Sequence, residues 1–261
     1  MTMALKGRTA LVTGVSREAG IGTAICRALA EQGADLFYTH WRAYDAEEGC
    51  GLQMGWPDRL QQELEGMGVR AGQMEADFMD PDAPVQVLDE AERALGRLPS
   101  IVIHNACYCA PTSYRTLTQE SLDRHYIVNN RAPALLSMEF ARRFEQAHPA
   151  GGAGRILFLL SKGQDADNLA YLATKQLLAG LIEPLAAGLA PLGITVNGLD
   201  PGPTDSGWMS DELKRQLLPL FPMGRIGRPE DAARALAFLA SDEAQWITGQ
   251  AIRSEGGFLG R

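Results

Sequence analysis

Thr9-Ala10-Leu11-Val12-Thr13-Gly14-Val15-Ser16-Arg17-Glu18-Ala19-Gly20-Ile21-Gly22 passes from an unbroken apolar run, through a glycine-rich turn, into a helical pattern. On that helix Ala24, Ile25, Ala28 and Leu29 fall on one face, and Gly33 stands where a helix ends. Outward from it, short apolar runs alternate with longer amphipathic stretches along the chain. Strands are predicted at Leu36 to Thr39, Val69 to Ala76, Ile101 to Ile103, Arg155 to Leu160, Ile194 to Val196 and Gln250 to Arg253. Helices are predicted near Asp58 to Gly66, Pro84 to Leu95, Glu120 to Gln146, Leu169 to Leu189, Asp211 to Leu218 and Pro229 to Ala240. The stretch from Arg42 to Pro57 has no clear period and reads as an enlarged loop. Strands apolar almost throughout are expected where both faces are covered. Strand–helix alternation with right-handed crossovers then predicts an α/β fold: a doubly wound, Rossmann-type parallel sheet of seven strands with helices on both faces. No linker or repeat divides the 261 residues, so a single domain, 1–261, is expected.

Composition narrows the function. Acidic residues outnumber basic ones 32 to 24, a formal charge of −8, and no block of like charges offers a nucleic-acid patch. No apolar run approaches the roughly 18 residues of a membrane span. Four cysteines in this length do not make a disulfide scaffold, and a reduced, cytoplasmic compartment is expected. Cys107 and Cys109 lack neighbouring His or Cys residues at ligand spacing, so they are read as lining a crevice and no metal site is expected. No Gly-x-Ser-x-Gly elbow supports a hydrolase.

The glycine turn after the first strand and at the mouth of the first helix suits a phosphate, which needs free N–H donors and close backbone approach. A dinucleotide is the expected ligand. NAD binders usually place an acid at the end of the second strand. Here that end reads Tyr38-Thr39-His40-Trp41-Arg42, with no acid before Asp45. Arg17 and Arg42 are available as cations for a 2′-phosphate, which favours NADP, with NAD possible as the alternative. Tyr171 and Lys175 stand one helical turn apart, where an ammonium would lower the phenol pKa toward neutrality. Ser161, at the end of the fifth strand, would face the same crevice. Asn129 sits mid-helix, where asparagine is mildly unfavourable.

In combination these residues resemble the short-chain dehydrogenase/reductase family, and its 3-oxoacyl-carrier-protein-reductase-like branch, over essentially the whole chain. The matching features are the Thr13 to Gly22 turn, Asp77, Asn105-Ala106, Asn129, Ser161, Tyr171, Lys175, Asn197, Pro201-Gly202, Arg225 to Asp231, and Ile247 to Gln250. The resemblance implies that Tyr171 is the general acid or base and Ser161 orients the carbonyl oxygen. Lys175 would bind the nicotinamide ribose and lower the tyrosine pKa, and Asn129 would hold a water in a relay to Lys175. Gly14, Ser16, Arg17, Gly20, Ile21, Gly22, His40, Arg42, Asp77, Phe78, Asn105, Ala106, Pro201, Gly202 and Thr204 would line the cofactor with Tyr171 and Lys175. It also implies a homotetramer formed through two central helices and the last strand.

Four departures stand out: two extra residues, Glu18-Ala19, in the glycine turn; His104-Asn105-Ala106-Cys107 after the fourth strand; a Ser161–Tyr171 interval two or three residues shorter than usual; and Ser254-Glu255 near the end. Trp208, Met209, Leu217, Leu218 and Phe221 form either an apolar lid or the core contacts of a short helix. The expected function is hydride transfer between a nicotinamide cofactor and a small carbonyl or secondary alcohol. Enoyl-thioester reduction and a catalytically silent NADP sensor are the alternatives.

Overall fold

A computed structural model describes residues 3–47, 51 and 53–260. Seven strands, β1 (Thr9–Val12), β2 (Asp35–His40), β3 (Ala71–Glu75), β4 (Ile101–His104), β5 (Gly154–Leu159), β6 (Ile194–Asp200) and β7 (Gln250–Arg253), form one parallel sheet in the order β3-β2-β1-β4-β5-β6-β7. The helices are α1 (Ile21–Glu31), α2 (Arg42–Glu47), α3 (Trp56–Gly66), α4 (Ala83–Leu95), α5 (Gln119–Tyr126), α6 (Ala132–Ala147), α7 (Leu169–Ala179), α8 (Ile182–Leu189), α9 (Asp211–Leu217) and α10 (Pro229–Ala240).

Alternation of side chains along each strand divides the core in two. Val12, Leu36, Tyr38, Ile103 and Leu157 meet α1, α3 and α10, while Leu11, Phe37, Val102, Ile156 and Phe158 meet α4, α6 and the α7–α8 pair. β1, β4, β5 and β6 are buried at every position, as their apolar composition requires. α10 starts where its sequence signals a start: Pro229 is its first residue, and Asp231 accepts the Arg228 N–H at 2.8 Å and pairs with Arg225.

Four local expectations are corrected. Arg42–Glu47 is helical, where an irregular loop is predicted; 48–50 and 52 of that stretch lie outside the described residues. The helix predicted from Glu120 to Gln146 is interrupted by a π-helical turn at Ile127–Arg131, where Asn129 and Asn130 turn inward to hydrogen-bond other segments. The helix predicted from Leu169 to Leu189 is two helices, parted at Gly180–Leu181. β6 continues past Val196 to Asp200, because Asn197 bonds to the Ile247 carbonyl and the Gln250 N–H. Gly198 continues it for a steric reason: a Cβ there would lie 2.5 Å from the Leu160 side chain and 2.6 Å from Ile182.

Phe144 on α6 is fully buried, stands 5.5 Å from Phe140 between ring centroids, and faces Gly152 and Gly154, which leave room for its ring. Phe144→Ala should cost about 3–5 kcal/mol, read in urea unfolding as a lower midpoint with an unchanged slope.

Candidate active site

The chain leaves β1 toward β2 on one side and later returns to place β4 on the other, so the carboxyl ends of β1 and β4 open a crevice where the winding reverses. Two loops are tied together there. The Thr13 hydroxyl accepts the N–H groups of Asn105 and Ala106, each at 3.1 Å, and the Asn105 amide donates to the carbonyls of Thr13 and Gly14 at 3.0 and 2.7 Å. Gly14 has φ +76°, and a Cβ on it would lie 2.5 Å from Ala106 Cα. A Cβ on Gly22 would lie 2.7 Å from the Gly14 carbonyl oxygen. Both positions therefore require glycine. Gly20 enters α1 without a side-chain cap, leaving the helix's first turn for an anion near Ile21 and Gly22. The extra residues of the turn reach sideways: the Glu18 N–H donates to Gln53 at 2.7 Å, and a Cβ on Gly207 would lie 3.7 Å from that of Ala19. This cradle fits a dinucleotide pyrophosphate.

At the β2 and β3 ends the arginines proposed from sequence both have carboxylate partners. Arg42 pairs with Glu75, and Arg17 Nε lies 3.4 Å from Asp45 Oδ1. The Arg42 contact holds the Glu75 carboxyl below its usual range. Asp45 is buried, which pushes its carboxyl up against the opposing pull of Arg17 and the Ser16 hydroxyl. Ser16 also accepts the Trp41 N–H at 3.2 Å. His40 is buried on the Tyr38 face of β2, its Nε2 2.7 Å from Gln73 Oε1. It borders a cavity of about 260 Å³ shared with Arg42, Asp58 and Glu75. Asp77 accepts the Met79 N–H at 2.8 Å, and Phe78 is packed into the core. Sequence reasoning missed Asp45 and Glu75, because their role depends on where α2 and β3 set them.

At the other end of the crevice the structure brings Asn129, Ser161, Tyr171 and Lys175 together on three segments. The Ser161 side chain comes near enough to the Tyr171 phenol to oppose the rise of its pKa, so the short interval still brings the two side chains together. Gln176 holds the Ser161 carbonyl at 3.0 Å. Lys175 is buried, donates to the Leu159 carbonyl at 2.9 Å, and has its ammonium 5.8 Å from the Tyr171 ring centroid. The expected lowering of the phenol pKa is not what the protein alone produces. Burial pushes Tyr171 up, the nearby Cys107 and Cys109 thiols push the same way, and the Ser161 hydrogen bond opposes them.

Asn129 serves as a clamp: it accepts the Tyr108 N–H at 2.7 Å and donates to the Tyr108 carbonyl and the Thr174 hydroxyl. Cys109 Sγ stands 3.9 Å from Asn168, beside the start of α7. Gly202 donates its N–H to Asp200, and the Thr204 hydroxyl lies 3.2 Å from the Gly202 carbonyl. Of the proposed lid, Met209 and Phe221 are core residues, whereas Trp208 and Leu218 are exposed. No cluster of three or more His, Cys, Asp or Glu side chains suited to a metal occurs among the described residues.

His104 lies beneath this site, stacked on Phe158 and bonded to Ser137 at 2.9 Å. Burial, then the Lys175 charge, bring its pKa down from 6.5 to about 3. The unfolded chain thus binds this proton and the folded chain refuses it. The associated stability is complete above pH 6.5 and is lost as pH falls toward 3, on the order of 1 kcal/mol per pH unit. In melts from pH 7 to 4, His104→Gln should lose less stability on acidification than the wild type.

Residues 14–259 match the family model described as enoyl-(acyl carrier protein) reductase. The chain is 49% identical to the uncharacterized oxidoreductase YjdA of Bacillus subtilis, over 97% of each chain. It is 34% identical to an NADPH-dependent aldehyde reductase-like protein of Arabidopsis thaliana chloroplasts, covering 98% of this chain and 95% of that one. Among solved structures, a 7α-hydroxysteroid dehydrogenase in complex with NADH and 7-oxo glycochenodeoxycholic acid superposes with a TM-score of 0.86 at 25% identity, covering 100% of this chain and 97% of that one. With the doubly wound sheet and the glycine cradle already described, these similarities establish that the chain is an oxidoreductase of the short-chain dehydrogenase/reductase family.

Proposed function

We propose that the protein is an NADP-preferring reductase of small carbonyl compounds, or dehydrogenase of the corresponding secondary alcohols, with Tyr171 as the proton-transfer group. The observation that carries this reading is the convergence of Tyr171, buried in the crevice bounded by the glycine cradle, with the Lys175 ammonium 5.8 Å from its ring centroid and with Ser161, which opposes the rise of its pKa. A bound nicotinamide supplies the hydride donor or acceptor. Gly14, Ser16, Gly20, Ile21, Gly22, Asn105 and Ala106 would hold its pyrophosphate and ribose portions, Asp77 and Phe78 the adenine side, and Pro201, Gly202 and Thr204 the nicotinamide side.

Burial keeps the Tyr171 phenol protonated, so it can deliver its proton to a carbonyl oxygen as that oxygen gains negative charge. Ser161 offers that oxygen a second hydrogen bond and fixes its position. The Lys175 ammonium, held by the Leu159 carbonyl, stabilises the phenolate left behind. Asn129 fixes the Tyr108 backbone that borders the substrate side and ties it to Thr174, next to Lys175. A free carbonyl is favoured over a carrier-bound chain because Pro184 to Leu189 offers no cation for an acidic partner. NADP is favoured by the absence of an acid at the β2 end and by the NADPH-dependent relative. Enoyl reduction is supported by the description of the matching family model and by the lengthened turn, against the four-residue Tyr171–Lys175 spacing.

Tyr171→Phe should lower turnover at least 100-fold while NADPH binding, followed by its fluorescence, stays within about threefold. The measurement is an oxidation assay on a panel of aldehydes, ketones and one enoyl thioester, with NADPH and NADH side by side. Undiminished turnover by the variant would overturn the assigned proton donor, turnover of the enoyl thioester alone would favour that reading, and binding with no turnover at all would favour a sensor.

A further inference from the structure

Two thiols stand in the crevice, and the proton transfer assigned to Tyr171 uses neither. Cys107 and Cys109 are partly exposed and outside any disulfide, whereas Cys26 is fully buried. Their loop is held at three points. Ala106 lies against Gly14 and gives its N–H to the Thr13 hydroxyl, and Asn129 clamps Tyr108 through its N–H and carbonyl. Cys107 is the residue between these two anchors. Further on, the Thr112 N–H donates to the Asp167 carbonyl at 2.7 Å, while the Thr112 carbonyl and hydroxyl accept the N–H groups of Leu169 and Ala170, each at 2.9 Å. The loop is thereby strapped to the first turn of α7, which carries Tyr171.

Cys109 Sγ stands 3.9 Å from Asn168 Oδ1, on the residue that precedes α7. Both thiols come near enough to the Tyr171 phenol to raise its pKa, Cys107 the more strongly. A cysteine thiolate is a strong nucleophile wherever an electrophile can reach it. In a conjugated carbonyl compound the electrophilic β-carbon and the carbonyl oxygen are parts of one planar unit. An oxygen held at Tyr171 therefore presents the β-carbon to a thiol in the same crevice, and a proton donated to that oxygen speeds the addition.

We propose that Cys107 captures α,β-unsaturated ketones and aldehydes whose carbonyl oxygen is held by Tyr171. This rests on the role assigned to Tyr171, though not on turnover. The Cys107 thiolate sulfur forms a bond to the β-carbon, and the carbon–carbon π pair moves toward the carbonyl to leave an enolate. Tyr171 gives its proton to the enolate oxygen. The enol then takes a proton from water at its α-carbon and returns its hydroxyl proton to the phenolate. Solvent thus receives the thiol proton and supplies one to carbon, so S–H adds across the double bond without oxidant, reductant or hydride. The thioether that results blocks the crevice.

The test treats the full chain with cyclohexenone, with NADP⁺ present so that no hydride is on offer, and locates the thioether by peptide mass spectrometry. Iodoacetamide, which alkylates thiols without help from an acid, is the parallel reagent. Cyclohexenone should add at Cys107 in the wild type and in Cys109→Ser. Tyr171→Phe should slow that addition at least tenfold, while iodoacetamide labelling of Cys107 changes less than about threefold. A wild type with no cyclohexenone adduct at Cys107 would overturn the capture, as would a Tyr171→Phe variant in which both reagents slow alike or neither slows. Carbonyl turnover that falls in Tyr171→Phe while enone addition is unchanged removes this inference and leaves the reductase reading standing. No turnover on the carbonyl panel, together with a Tyr171-dependent adduct, supports the capture and removes only the reductase reading.

Discussion

The joint between the ends of β1 and β4 is the constraint on which the rest of the molecule depends. A single hydroxyl, Thr13, receives two backbone N–H groups from the β4 loop, and a single amide, Asn105, returns two hydrogen bonds to the β1 turn. Gly14 lies against Ala106 so closely that no side chain fits between them. The reversal of winding makes a crevice, and this joint fixes its width by holding both walls to one another rather than to a ligand. Pre-set donors cost no ordering when a phosphate arrives, which is how a rigid cradle converts geometry into affinity.

A second joint fixes the chemical end. Asn129, in a π-helical turn, clamps the Tyr108 backbone from both sides and also reaches Thr174, beside Lys175. Tyr108 in turn packs edge-on against Tyr44 and His125, and the Tyr44 hydroxyl donates to the Cys109 carbonyl at 3.1 Å. The loop after β4 is therefore held by α2 on one side and by the π turn on the other. α2 supplies Asp45 to the glycine turn and Tyr44 to the Cys107–Cys109 loop, so one short helix touches both the turn after β1 and the loop after β4. The local irregularity of the π turn is the cost of aiming two asparagine side chains inward from a helix.

Electrostatics within the crevice is dominated by burial rather than by charge pairing. The Tyr171 phenol is pushed up and His104 is pushed down, both chiefly by burial. Burial favours the neutral form of each, the imidazole packing on Phe158 and hydrogen-bonding Ser137. The Lys175 ammonium, held by a backbone carbonyl, adds to the lowering at His104 and lies 5.8 Å from the Tyr171 ring centroid. A charge held in place beside a neutral acid stabilises the anion that proton transfer leaves, and this works only if water is kept out.

The sequence by itself determined the strand order class, the glycine turn and the helical Tyr171–Lys175 pair, because each rests on local spacing: period two or 3.6, a glycine after a strand, four residues on one helix. It also placed Ser161 at the mouth of β5. It misjudged the length of β6, since Asn197 and Gly198 look like a strand's end until their partners Ile247, Leu160 and Ile182 are in place. It read Arg17 and Arg42 as free cations and passed over Asp45 and Glu75, and it expected Lys175 to lower a phenol that burial raises. Ion pairing and desolvation belong to groups distant in the chain or to the depth at which the fold sets them. A linear pattern carries no record of either, so only the tertiary structure decided them.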